Sequence, residues 1–246
     1  MYRSFFTAVL ACLSIGSLPA TAAVIEATYS GHLFSGGDGL GLFGGPTILP
    51  TGAPVSVTFR YDTSLGKTPT LPYLGSGLEG GQILGTPGPV VFSSISIGTA
   101  TVIGQNNGYS LVGNIDDAVM GNGLIVGATG RYPGAPLPGF FAGISAYVYG
   151  QGLPVPSSIG VPFSLTGLSA LNVQGGTSRA TGTFQFSDCN VANVCGYTFG
   201  EYLIDDFQSR TLPAPVPLPA AGGFLAGALG FLGVARRVRR RDQIAA

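Results

Sequence analysis

Val55-Ser56-Val57-Thr58-Phe59-Arg60-Tyr61-Asp62 alternates apolar and polar residues at a period of two, and Thr63-Ser64-Leu65-Gly66 follows it with turn residues. Successive side chains of a strand point to opposite faces, so this stretch reads as a half-buried strand. Working outward, similar short runs span 24–34, 90–97, 99–103, 109–115, 124–129, 140–149, 163–171, 180–187 and 197–207. Gly, Pro and Asn clusters separate them. No window of ten or more residues carries a helical stripe. The expected fold is all-β: one sandwich or jelly roll of about ten strands over residues 24–210. No fixed-length repeat recurs, which disfavours a solenoid.

Glycine (41) and proline (18) make up 59 of 246 residues, about twice the usual share, while charged residues are 9%. That much Gly and Pro approaches low-complexity composition, but 45% hydrophobic content supplies enough burial to offset the ordering entropy, so a folded domain is expected. One His, one Lys and no Trp leave few catalytic groups, and the body has no basic stripe for nucleic acid. Residues 24–210 hold five basic and ten acidic side chains, a net charge of about −5 against a formal zero for the whole chain. Attraction to anionic polysaccharide or lipid is not expected without bridging cations.

Residues 1–23 read as a secretory signal peptide, with Arg3 in the n-region, an apolar run from Phe5 to Leu18 and Ala20-Thr21-Ala22 as the cleavage pattern. A lipoprotein reading at Cys12 would leave only Ser4 to Ala11 as its apolar segment. At the other end, residues 211–220 form a proline-spaced linker that cannot continue a ladder. Residues 221–235 are uncharged and apolar all round, and the tail 236–246 carries Arg236, Arg237, Arg239, Arg240 and Arg241. This reads as a short transmembrane helix with a cytoplasmic stop, although at ~1.5 Å per residue it spans less than the ~30 Å hydrocarbon core.

The sequence Val216-Pro217-Leu218-Pro219-Ala220, the apolar helix and the terminal arginines together resemble the PEP-CTERM protein-sorting tails, in particular the VPLPA-CTERM variant. The segment Tyr29 to Gly45 with the Phe59-Arg60-Tyr61-Asp62 strand also resembles an opening found in proteins exported with such tails. The resemblance implies a membrane-embedded exosortase, a cysteine protease-transpeptidase, as the partner that reads the proline motif. It implies transient residence in the inner membrane of a Gram-negative bacterium and then a place at the cell surface or in the extracellular matrix, alongside exopolysaccharide and biofilm machinery. Leu218 stands where the family's eponymous Glu sits between prolines.

The body offers few chemical motifs. Cys189 and Cys195 flank five residues between two strand-like runs, so a hairpin would bring them together as a disulfide, contributing about 2 kcal/mol. Gly36-Gly37-Asp38-Gly39 reads as turn chemistry, since a calcium nonapeptide must repeat, and Phe43 anchors a long glycine-rich surface loop. His32 lacks a GxSxG partner. Asp116 and Asp117, with Asn106, Asn107 and Asn114 nearby and Asp205-Asp206 elsewhere, have oxygens for calcium, carboxylates for a glycosidase, or simply turn and edge charges. Tyr147 and Tyr149 fall on the face of a strand opposite Ile144, Ala146 and Val148, where they either seal a core or stack on sugar rings. The reading is therefore a non-enzymatic exported surface or matrix protein with no cofactor or metal, and alternatively a carbohydrate-binding or adhesive module, calcium-assisted or not.

Overall fold

The computed structural model of the chain describes residues 23–44, 47–71, 74–104, 106–130, 141–172, 178–189 and 195–213. Its strands are β1 (Val24–Asp38), β2 (Pro54–Asp62), β3 (Leu74–Gly81), β4 (Val90–Ile97), β5 (Ala100–Gly104), β6 (Tyr109–Asp117), β7 (Gly121–Gly130), β8 (Phe141–Gly150), β9 (Ser164–Leu165), β10 (Arg179–Cys189) and β11 (Cys195–Leu212). The described residues otherwise form turns, loops and two short 3-10 turns. The chain divides into units 1–212 and 213–246.

The expected separation into two sheets is corrected. All pairings are antiparallel, and the ladder runs unbroken in the order β3-β6-β7-β8-β10-β11-β1-β2-β4-β5, with β9 on β11. The sheet folds back so that β4 lies against β6, β7 and β8 across a shared core. A long central pair allows this: β1 has 15 residues, β11 has 18, and their register shifts at Ser30/Gly31 and Leu33/Ser35. Bulges bend and twist a strand, so one ladder can serve both layers.

Alternation places the core. From β2, Val55, Val57, Phe59 and Tyr61 are all at most 3% exposed, and they join Ile25, Ala27, Tyr29 and Leu33 of β1 and Ile144, Ala146 and Val148 of β8 in one cluster. Tyr29 packs edge-on to Phe59 at 5.9 Å between centroids and lies 4.9 Å from Phe207. The Tyr61 hydroxyl donates to the Ile159 carbonyl at 2.8 Å, and burial pushes the Tyr61 phenol well above its ordinary range.

Four expectations about individual elements also change. The linker expected from residue 211 begins only after Leu212, because Thr211 and Leu212 still pair with Ile25 and Val24 of β1. Strand β3 (LGSGLEGG) is absent from the expected strands, because four glycines hide its period. The run 163–171 supplies only the two residues of β9; Gly167, with φ 68°, turns the chain, and Leu168–Leu171 form a 3-10 turn. The strand expected over 24–34 runs on to Asp38 and takes in the start of the glycine-rich segment expected as a surface loop, since β11 pairs with β1 through Asp38 opposite Thr198. Phe43 does anchor the glycine-rich turn beyond Asp38, 5.7 Å from the Phe184 ring and 8% exposed. Among the described residues no helix is long and apolar enough to cross a membrane. The expected signal peptide, apart from Ala23, the Val216–Ala220 motif, the helix 221–235 and the arginine cluster lie outside the described residues.

Candidate functional site

The register that builds the sheet also builds a trough on its outer face. One cross-strand row reads Leu111 (β6), Gly127 (β7), Ser145 (β8), Thr183 (β10), Glu201 (β11) and Ser35 (β1), each directly opposite the next. These side chains are small or polar along most of the row. The rows on either side stand taller: Ile125 opposite Tyr147 on one flank, and Gln185 opposite Phe199 on the other. The result is a groove of about 630 Å³ that crosses six strands at right angles to them. Five inter-strand spacings of ~4.8 Å make it about 24 Å long.

Its parts are held by ordinary sheet chemistry. The Ser145 and Thr183 hydroxyls hydrogen-bond each other at 2.9 Å in the floor. Beneath them the Tyr202 hydroxyl donates to the Ser145 carbonyl at 2.7 Å, and burial pushes the Tyr202 phenol far above its usual range. At the β6 end the Thr129 hydroxyl accepts from the Tyr109 amide at 2.8 Å, and the Tyr109 hydroxyl donates to Glu79 at 3.2 Å. Leu111, Ile115 and Ile125 form a small second cluster on this outer face, against which Tyr109, Tyr147 and Tyr149 pack half-buried. At the β11 end Phe199 is 56% exposed beside Gly37, where an added Cβ would sit 3.4 Å from its ring. A large aromatic left this open on a sheet face costs solvation, and such surface is where ligands dock.

Tyr147 lines the trough; Tyr149 packs beside it in the same cluster and does not. Tyr109, Gln185, Phe199 and Glu201 were missed. The sequence carried a signal for the last two, since Tyr202 and Ile204 are inward and alternation then turns Phe199 and Glu201 outward. Tyr109 and Gln185 come into the same lining only through strand pairing.

The oxygen-rich set considered for calcium is dispersed. Both Val119 and Met120 amides donate to Asp117 Oδ1, at 2.8 and 2.9 Å, and these bonds hold the Asp117 carboxyl below its ordinary value. The Asn106 side chain is engaged with the Ser93 hydroxyl in the connection before β6, where Asn107 also lies. Asp205 is bonded to His32 Nδ1 at 2.9 Å, and Asp206 accepts from the Gly167 amide at 3.4 Å. Only Asn114 and Asp116 remain together, lining a second cavity of about 310 Å³ with Asn122. Asp38, in the glycine segment, receives the Leu42 and Phe43 amides and the Thr198 hydroxyl, each at 2.8 Å, which makes it the cap of a turn. Among the described residues no three His, Cys, Asp or Glu side chains gather as a metal site.

Farther along the same outer face, Arg60 and Arg210 flank Glu26 in register across β2, β1 and β11. The Arg60 guanidinium stacks 4.8 Å from the Phe92 ring centroid. Burial by itself raises the Glu26 carboxyl, but the two arginines outweigh it and hold it below its ordinary value. At the end of the β10–β11 ladder, Cys189 stands directly opposite Cys195.

No family model, curated protein or solved structure matches this chain.

Proposed function

We propose that the chain is an exported, non-enzymatic surface or matrix protein whose β-domain holds a polysaccharide in the outer-face trough, and whose carboxyl end carries an exosortase-type sorting signal. The observation that carries the binding role is the row Gly127-Ser145-Thr183-Glu201 sunk between Tyr147 and Phe199. An open groove with hydroxyls in its floor and rings on its flanks matches the two faces of a sugar, whose hydroxyls take hydrogen bonds and whose C–H face stacks on aromatics. Binding is favoured over turnover because glycoside hydrolysis uses a carboxylate pair, and among the described residues the trough lining supplies one carboxylate, Glu201. Export is supported by the signal peptide reading of residues 1–23, and sorting by Val216–Ala220 with the helix and arginines behind it. A Cys189–Cys195 disulfide belongs to the same proposal. Opposed residues of an antiparallel pair lie ~4.5–5.5 Å apart at Cα, within the ~4.4–6.8 Å that a disulfide spans.

Co-sedimentation of the exported protein with the host's extracellular polysaccharide tests the reading. Tyr147→Ala is expected to weaken retention by up to about tenfold, the loss of one stacking ring, with circular dichroism unchanged. Undiminished retention would sink the assignment of the trough.

A further inference from the structure

The trough assignment leaves open what the glycan carries, and its charges decide that. We infer that the trough takes a cationic amino-sugar polymer, a polysaccharide with free ammonium groups, and that Glu201 is the residue that selects it. This deepens the trough reading and rests on it.

Among the described residues Glu201 is the one carboxylate lining the trough, and neither Lys nor Arg lines it. Its neighbours across the strands are the hydroxyl residues Thr183 and Ser35. Three acids of this sheet have a basic partner: Glu26 in Arg60 and Arg210, Glu79 in Lys67 at 3.7 Å, and Asp205 in the His32 ring; Asp62, Asp116, Asp117 and Asp206, outside the trough lining, make no ion pair among the described residues. Among the described residues Glu201 has no such partner. A carboxylate kept unpaired between a phenylalanine and a hydroxyl floor supplies what an ammonium requires, an anionic acceptor with the Phe199 ring two residues away on the same strand face. The net charge of about −5 on residues 24–210 adds long-range attraction for a polycation and repels an anionic polysaccharide. A polypeptide fits less well, because extended peptides join a sheet at its edge, and the strand backbones under this groove already pair on both sides. The groove's length, crossing β6 to β1, suits several sugar rings in line.

The experiment uses the exported protein in calorimetric titration with three probes: a β-1,4-glucosamine hexamer, its fully N-acetylated counterpart and oligolysine of equal charge. The deacetylated hexamer is expected to bind about tenfold tighter than the acetylated one, the scale of one charge-assisted hydrogen bond. Glu201→Gln should erase that preference, whereas Tyr147→Ala should weaken both sugars alike. Gly127→Val should also block both, since a Cβ there meets nothing nearer than Ser145 Cβ at 3.6 Å and the branched side chain beyond it would rise into the floor of the trough. Thermal melts of each variant show that the fold is kept. Equal binding of the two hexamers, no binding of either, or a preference that survives Glu201→Gln overturns the amino-sugar inference; while Tyr147→Ala still weakens retention of host polysaccharide, the trough reading stands. Tighter binding of oligolysine than of the glucosamine hexamer overturns it in favour of a cationic polypeptide. Sugar binding untouched by both Tyr147→Ala and Gly127→Val removes the trough itself, as does a dimer of the free protein that Tyr147→Ala disperses.

Discussion

Glu26 shows how a single residue on this sheet is held. Its carboxylate is 7% exposed, receives Arg60 Nε at 2.7 Å and Arg210 Nε at 2.9 Å, and is kept below its ordinary value of 4.5 despite its burial. A carboxyl with a depressed folded value stabilises the native state fully above its unfolded value and loses that contribution as pH falls through the folded one. The arginines are 44% and 68% exposed at their side chains, so screening keeps the net effect small. Glu26→Gln is expected to cost about 1 kcal/mol at neutral pH, measured by denaturant titration. In strong acid the two proteins should unfold at the same midpoint; a gap that persists there would mean that packing rather than charge is at work. The sequence showed Arg60 in its strand but not the partner, because Glu26 lies 34 residues away and Arg210 a further 150 beyond Arg60.

At the scale of elements, β3 and the β10–β11 hairpin make separate demands. Gly81 ends β3 with φ 127°, and an added Cβ would lie 1.6 Å from the Gly108 carbonyl oxygen. Gly81→Ala is thus both strained and obstructed, and a loss of about 2–3 kcal/mol, or failure to fold, is expected in thermal unfolding. A wild-type melting temperature would show that the strand end moves aside freely. In the hairpin, alkylation of the exported protein without reduction is expected to label neither Cys189 nor Cys195, and Cys195→Ser to cost about 2 kcal/mol while leaving the fold intact. Two labelled thiols would defeat that pairing. Alternation made β2, β4 and β10 legible, since each has one buried and one open face. β3 was illegible because its identity comes from the backbone bonds it makes with β6, Glu79 opposite Leu111, and glycine carries no period of its own.

For the molecule as a whole, the two ends and the folded unit are separable. On the proposed reading the arginine tail and apolar run would halt translocation by charge and hydrophobicity, whereas the proline motif would matter only to an enzyme that reads it. Replacing Pro217 and Pro219 by Ala is expected to leave a full-length, membrane-held chain, and deleting residues 221–246 to release the protein unsorted. Intact mass in the native host distinguishes these outcomes, and unchanged processing of the proline variant would refute the sorting role. The β-rich circular dichroism should persist in both, since β11 ends at Leu212, before either change. The sequence by itself determined the all-β class, most strand positions, the separation of Tyr147 from Ile144, Ala146 and Val148 on opposite faces of one strand, and the charge of the body, because alternation and composition are local properties written residue by residue. Tertiary structure alone decided that the ladder is a single folded sheet, that Tyr109, Gln185, Phe199 and Glu201 join Tyr147, and that Asp116 and Asp117 part company. Those outcomes depend on the order and register of strands far apart in the chain. A register is fixed by fitting whole faces into a shared core, and no single segment contains that information.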